Sequence, residues 1–199
     1  MTMKRNPMER QYRSFMSLNA VPNDSSSPAY RVRGQAVVFN SPTVIFEWDG
    51  KEYFEQIDPL AFAGCDMSDV IMLYDHRGMV VARTRNNTLS LDIDDKGLWT
   101  EAHLNGTEAG RELYEAISGG YVDRMSFSFT VAEDGEEYDP DTRMWTVKRI
   151  KKLYDVSAVA TPAYDQTSIS ARSAEYEYRK EQMMELELRR KKLIVMSLL

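Results

Sequence analysis

Between residues 30 and 160 the chain is a succession of short alternating runs, each stopped by a turn-forming pair, and this rhythm limits the folds open to it. Residues 30–39 alternate and end at Asn40-Ser41-Pro42. Residues 43–48 and 51–57 flank Asp49-Gly50, a pair that suits a two-residue hairpin because glycine accepts a positive φ. Residues 70–74 form a compact apolar run that reads as a buried strand. Residues 79–84, 88–93 and 98–104 read as three further strands, punctuated by Asn86-Asn87 and by Asp94-Asp95-Lys96-Gly97. Residues 124–131 alternate again; after an acidic loop over 133–141, residues 144–150 and 153–160 complete the set. Roughly eight to ten short strands with few helices predict a mainly β fold, a closed or nearly closed β-barrel.

Two helical signals interrupt the pattern. Thr107 is placed to cap a helix in which Leu113 and Ile117 share a face, and Gly119-Gly120 ends it. Asp58-Pro59-Leu60-Ala61-Phe62 reads as a short helix start, with Asp as cap and Pro at the first helical position. The ends differ from the middle. Residues 1–28 finish in a polar run with two prolines and are expected to be a flexible basic segment. Residues 174–199, rich in Glu, Arg, Lys and Leu without Gly or Pro, are expected to form a charged helical tail. That leaves residues 29–173 as the domain.

Charge and a few residue counts then exclude whole classes of function. Residues 1–28 carry four basic against two acidic side chains and residues 174–199 six against five, so the net charge of −6 places −9 on the middle. That balance argues against specific or bulk-electrostatic nucleic-acid binding. One cysteine, Cys65, rules out an internal disulfide and a Cys-based zinc knuckle. Two histidines, His76 and His103, rule out a multi-His metal site. No apolar stretch is long enough to cross a bilayer and no signal-peptide pattern follows Lys4-Arg5, so a soluble intracellular protein without cofactor or metal is expected.

Three places offer chemistry. His76 follows the buried run 70–74; it reads either as a hydrogen-bonded structural residue beside Asp75 or as a base. His103 shares a strand face with Glu101 and reads as a surface residue. In Arg124-Met125-Ser126-Phe127-Ser128-Phe129 the period of two puts both phenylalanines on one face and both serines on the other. That serine face either meets water or lines a site. Asp155 sits inside an otherwise apolar strand and needs a partner, either a histidine or one of Lys148, Arg149, Lys151 and Lys152. Taken in the order His, Ser, Asp, they supply the groups of nucleophilic acyl transfer, in which imidazole takes the serine proton and a carboxylate orients the imidazole.

Six ordered segments resemble the prohead (capsid maturation) proteases of tailed bacteriophages. Gly34-Gln35-Ala36-Val37-Val38-Phe39-Asn40 resembles a G-x-A-x-x-F/Y-N opening, and Glu55-Gln56-Ile57-Asp58-Pro59-Leu60-Ala61-Phe62 is similar to E-x-I-x-P-G-A-F. Leu73-Tyr74-Asp75-His76 stands where the family has L-x-N-H-D, and Asp94-Asp95-Lys96-Gly97-Leu98 resembles D-x-x-G-L. Gly119-Gly120 with Ser126-Phe127-Ser128-Phe129 is similar to G-x-x-x-x-x-S-F-G-F. Leu153-Tyr154-Asp155-Val156-Ser157 with Thr161-Pro162-Ala163-Tyr164 resembles L-x-E-V-S-x-V-x-x-P-A-Y/N. The resemblance spans residues 30–164.

It implies a fold like that of the herpesvirus assembly proteases, with Ser126 as nucleophile, His76 as base and Asp155 as the acidic third member. Arg77 replaces an acidic residue, Asp155 replaces Glu, and Ser128 replaces a glycine, which makes Ser128 the competing nucleophile. Backbone N–H groups are the expected oxyanion donors, with a basic residue among 148–152 as a further candidate. The implied role is a serine endopeptidase inside the procapsid, in the host cytoplasm. It would cut the scaffold region of the major capsid protein and itself; the portal and a second copy of the chain are further candidate partners. The alternatives are an inactive assembly protein on the same fold and an unrelated binding module.

Overall fold

The computed structural model describes residues 10–15, 18–21, 30–48, 50–160, 184–185, 188–190 and 192. The strands among them are β1 (Gln11–Phe15), β2 (Leu18–Ala20), β3 (Arg31–Val38), β4 (Thr43–Trp48), β5 (Lys51–Ile57), β6 (Ile71–Tyr74) and β7 (Arg77–Arg83). After a single 3₁₀ turn at Thr84–Asn86 come β8 (Leu89–Ile93), β9 (Gly97–His103), helix α1 (Glu108–Ser118), β10 (Arg124–Val131), β11 (Glu136–Asp139), β12 (Met144–Val147) and β13 (Ile150–Val159).

They form three sheets, in the orders β1-β10-β13-β6-β7, β2-β3-β9-β8 and β11-β12-β5-β4. Most neighbours are antiparallel, but β6 runs parallel to β13 and β5 parallel to β12. The chain is therefore mainly β, as expected, but no closed barrel forms among the described residues. Alternation and strand length are the same for a barrel and for packed open sheets, so the pattern alone could not decide closure.

One core lies between the sheets. Phe127 and Phe129, stacked at 4.8 Å, fill it together with Met72, Leu98, Met125, Leu153 and Val156, all essentially without solvent contact. Burying each phenylalanine contributes about 2–3 kcal/mol. Helix α1 forms as its residues dictate. The Thr107 hydroxyl accepts the Gly110 N–H at 3.0 Å, Leu113 and Ile117 turn inward, and Gly120 takes φ +74 beyond the end.

Four expectations need correction. Residues 11–15 and 18–20, read as part of a flexible segment, are strands: β1 pairs with β10 and β2 with β3. Their signal is hidden because the inward side chains of β1 include Gln11 and Arg13, and polar residues at core positions do not read as a strand. The helix start at residues 58–62 is a chain of turns, with Ala61 N–H to Asp58 O, Ala63 N–H to Leu60 O and Cys65 N–H to Phe62 O. Asp58 does accept the Leu60 N–H at 2.8 Å, but the turns lead to Gly64 at φ +79 instead of a helix. The acidic loop contains β11, and the strand predicted over 144–150 stops at Val147 before β13 starts at Ile150. The tail expected over 174–199 lies mostly outside the described residues; residues 184–185, 188–190 and 192 are helical. Residues 161–164, which carry the last motif, also lie outside them.

Candidate active site

The site is built on the middle of the first sheet. In β10 the period of two sends Phe127 and Phe129 into the core and Ser126 and Ser128 to the opposite face. β13 lies alongside, with Ser157 opposite Ser126 and Asp155 opposite Ser128, so four polar side chains share that face. It does not meet water: Ser126, Ser128 and Ser157 are fully buried and Asp155 nearly so.

What covers them is the connection between β6 and β7. β6 runs beside β13 until Tyr74 meets Ala158, and a two-residue turn, Asp75-His76, then leads into β7. Both turn residues are left-handed, at φ +48 and +57, the geometry of a tight hairpin in which aspartate and histidine are among the better-tolerated side chains. Asp75 fixes the turn to β13: its N–H donates to Ala158 O at 2.9 Å, and its carboxylate accepts the Ala160 N–H at 3.1 Å.

The imidazole of His76 thereby bridges the two neighbouring strands. Nδ1 lies 2.5 Å from Asp155 Oδ1 and Nε2 lies 2.6 Å from Ser126 Oγ. An ionised carboxylate only accepts, so Nδ1 carries a proton toward Asp155, and in the neutral imidazole Nε2 is then the acceptor for the Ser126 hydroxyl. Burial pushes the Asp155 carboxyl toward its neutral form. Hydrogen bonds from His76, Ser157 and Ser128, with the attraction of the imidazole, outweigh burial and hold it below the usual carboxylate range. The Ser157 hydroxyl bond to Oδ1 is 2.7 Å. The Ser128 hydroxyl contributes least of these, and no partner among the described residues stands at good hydrogen-bonding geometry to it.

His76, Ser126 and Asp155 are brought together, and the shorter aspartate makes its contact. Ser128 is beside Asp155 and is not the serine that His76 touches. His103 lies exposed on β9, in another sheet. Three of the four basic alternatives for Asp155 have other partners: Lys152 binds Asp66 at 2.7 Å, Lys148 binds Glu137 at 2.8 Å, and Arg149 donates to Glu133 O at 2.7 Å; the fourth, Lys151, is exposed. These three also make poor candidates for an oxyanion donor. Arg77 is exposed.

Three contributors escaped the sequence reading. Ser157 was legible, because a residue two beyond Asp155 must share its face. Asp75 was legible as half of a two-residue turn. Tyr12, whose ring meets that of His76 edge-on at 4.7 Å, had no signal, because its strand was not recognised. No group of three or more potential metal ligands is present among the described residues, and no helix there is long and apolar enough to cross a membrane.

A hydroxyl, an imidazole and a carboxylate in this order can perform base-assisted nucleophilic attack on a carbonyl. Comparison with known proteins points the same way. The chain is 35% identical over 83 residues to the prohead protease of Enterobacteria phage HK97, a match covering 41% of this chain and 36% of that protein. The matched stretch is thus about a third of the relative's length. No solved structure matches the chain. The family model described as caudovirus prohead serine protease matches residues 18–182, a span that takes in His76, Ser126 and Asp155. By that match the chain belongs to the caudovirus prohead serine protease family.

Proposed function

We propose that this protein is a serine endopeptidase of procapsid maturation, with Ser126 as nucleophile, His76 as general base and acid, and Asp155 as the group that orients His76. The observation that carries the reading is the single imidazole placed 2.6 Å from a hydroxyl and 2.5 Å from a buried carboxylate. Ser126 Oγ attacks the peptide carbonyl as its proton passes to His76 Nε2. The imidazolium, stabilised by Asp155, then gives that proton to the departing amine as the C–N bond breaks. Water hydrolyses the resulting ester, with His76 again taking the proton and returning it to Ser126.

Membership of the family and the likeness to the prohead protease of phage HK97 support this choice of substrate class. On this reading the chain cuts the scaffold region of the major capsid protein, and itself, within the procapsid. Contacts with the portal and with a second copy of the chain belong to the same proposal. So does likeness to the herpesvirus assembly proteases, which is supported by the ordered sequence motifs. Co-expression with the capsid protein of the same phage tests the function: wild type should shorten the capsid protein, while Ser126→Ala and His76→Ala should leave it whole. Full cleavage by either variant would overturn the assignment.

A further inference from the structure

β10 has two edges, and only one of them belongs to β13. The other carries β1, antiparallel, with Ser14 opposite Ser126 and Tyr12 opposite Ser128. Cross-strand partners share a face, so Tyr12 and Ser14 stand on the side of the sheet that holds the imidazole. The Tyr12 ring lies against His76, and Ser14 is buried beside Ser126. Together with the β6–β7 turn that carries His76, they leave Ser126 without solvent contact. A polypeptide carbonyl cannot reach it while every neighbouring position is filled.

β1 is one of the two edge strands of its sheet, five residues long and paired on one side only. Two arginines fasten it to other elements. Arg13 forms a two-pronged ion pair with Glu55 of β5, and the Arg10 guanidinium lies over the Tyr154 ring at 3.9 Å. The inward side chains of β1 include Gln11 and Arg13, which give up little apolar burial when the strand leaves.

We propose that the β10 edge beside Ser126 is the docking site for an extended polypeptide substrate, and that β1 fills this edge in the resting chain. This rests on the reading of Ser126 as nucleophile. A substrate strand would replace β1, taking its affinity from the main-chain N–H and C=O groups of β10. Alternate side chains would supply selectivity. The residue in the place of Arg13 faces the Glu55 carboxylate and favours a basic side chain; the residue in the place of Tyr12 packs on His76.

The test is the rate at which a fluorescent fluorophosphonate labels Ser126 in the full chain, the Ser126 oxygen bonding to phosphorus as fluoride leaves and the proton passes to His76. Arg10→Ala removes only a surface stacking contact and is expected to speed labelling roughly three-fold. Arg13→Ala should speed it further. Labelling of both variants at or below the wild-type rate overturns the proposal while leaving the serine mechanism standing. Absence of labelling in all three proteins instead overturns the serine mechanism on which the proposal rests. Amide exchange in the unlabelled wild type decides the docking edge without catalysis or variants: amides of residues 11–15 are expected to exchange well before those of residues 153–158. Exchange of the two strands in step would make β1 a permanent wall and end the proposal.

Discussion

The Asp75 carboxylate accepts the Ala160 N–H at 3.1 Å, while the Asp75 N–H donates to Ala158 O at 2.9 Å. These two bonds tie a left-handed turn to the end of β13, and the residue that follows Asp75 in that turn is His76. The imidazole is therefore positioned by its backbone as well as by its ring partners. A displacement of about 1 Å in a reacting group costs on the order of a hundred-fold in rate.

Asp75→Ala is accordingly expected to lower kcat on a peptide substrate by about a hundred-fold with KM little changed. Asp75→Asn keeps a side-chain oxygen for Ala160 and a residue type that tolerates positive φ, so it should stay within a few-fold of wild type. Steady-state kinetics on the three proteins check this. Equal losses in the two variants would mean that the Asp75 charge, and not its bond to Ala160, matters.

Ser126 and Ser128 share a face, yet only Ser126 touches His76. Ser126→Ala should reduce kcat/KM by about 10³-fold or more. Ser128→Ala removes a hydroxyl without a well-formed bond and one minor contribution to the charged form of Asp155, so a change within about ten-fold is expected. Mass spectrometry of fluorophosphonate-labelled wild type should find the adduct on residue 126; an adduct on residue 128 would exchange the two roles.

Much of this arrangement was legible in the chain. Alternation in 124–131 gave the two faces of β10, and Thr107 and Gly120 gave the limits of α1, because each signal is local. Closure of the sheets was not legible, since hydrogen bonding between distant edges leaves no mark on any single strand. β1 stayed hidden for a different reason. Its inward positions hold Gln11 and Arg13, and Glu55, forty-two positions away, neutralises the Arg13 charge in the interior. His76, Ser126 and Asp155 were individually ambiguous; the motif order pointed to them, and the β13–β6 register explains how they meet.

Asp155 makes stability depend on acid. Its carboxyl is held below the ordinary range despite burial, so the folded state binds that proton less readily than the unfolded chain. The stabilisation is complete above the ordinary carboxylate pKa of about 4 and disappears as pH falls through the lower folded value. Urea midpoints measured downward from pH 6 should therefore drop for wild type. Asp66, Asp69, Asp94 and Asp139 are held low as well and share in this limb. Asp155→Asn should flatten the part that belongs to the site, so identical slopes would remove Asp155 from the account.

Cys65 is only partly covered, but burial pushes its thiol up to about 11. Thiolate is the reactive form, so alkylation by iodoacetamide at pH 8 should run roughly a hundred-fold slower than for a free cysteine. Denaturation in urea should restore the ordinary rate. Protease activity should survive full alkylation, since Cys65 makes no contact with the imidazole; loss of activity in step with labelling would contradict this.

Gly97 and Gly50 separate steric conflict from backbone preference. Both have positive φ, +157 and +67, where a side chain is disfavoured. At Gly50 an added methyl group meets nothing within 4 Å, so Gly50→Ala carries only the left-handed penalty of about 1–2 kcal/mol. At Gly97 the same methyl group would lie 1.8 Å from the Val37 carbonyl oxygen, which belongs to the backbone of the paired strand β3. That oxygen cannot rotate aside; β3 and β9 must separate where Phe39 N–H also bonds Lys96 O at 2.9 Å. Gly97→Ala is therefore expected to cost about 3 kcal/mol or more, measurable as a lower urea midpoint at unchanged slope. Equal midpoints for the two variants would show that β3 yields at this contact, and that the close approach of Gly97 to Val37 is not what makes glycine necessary there.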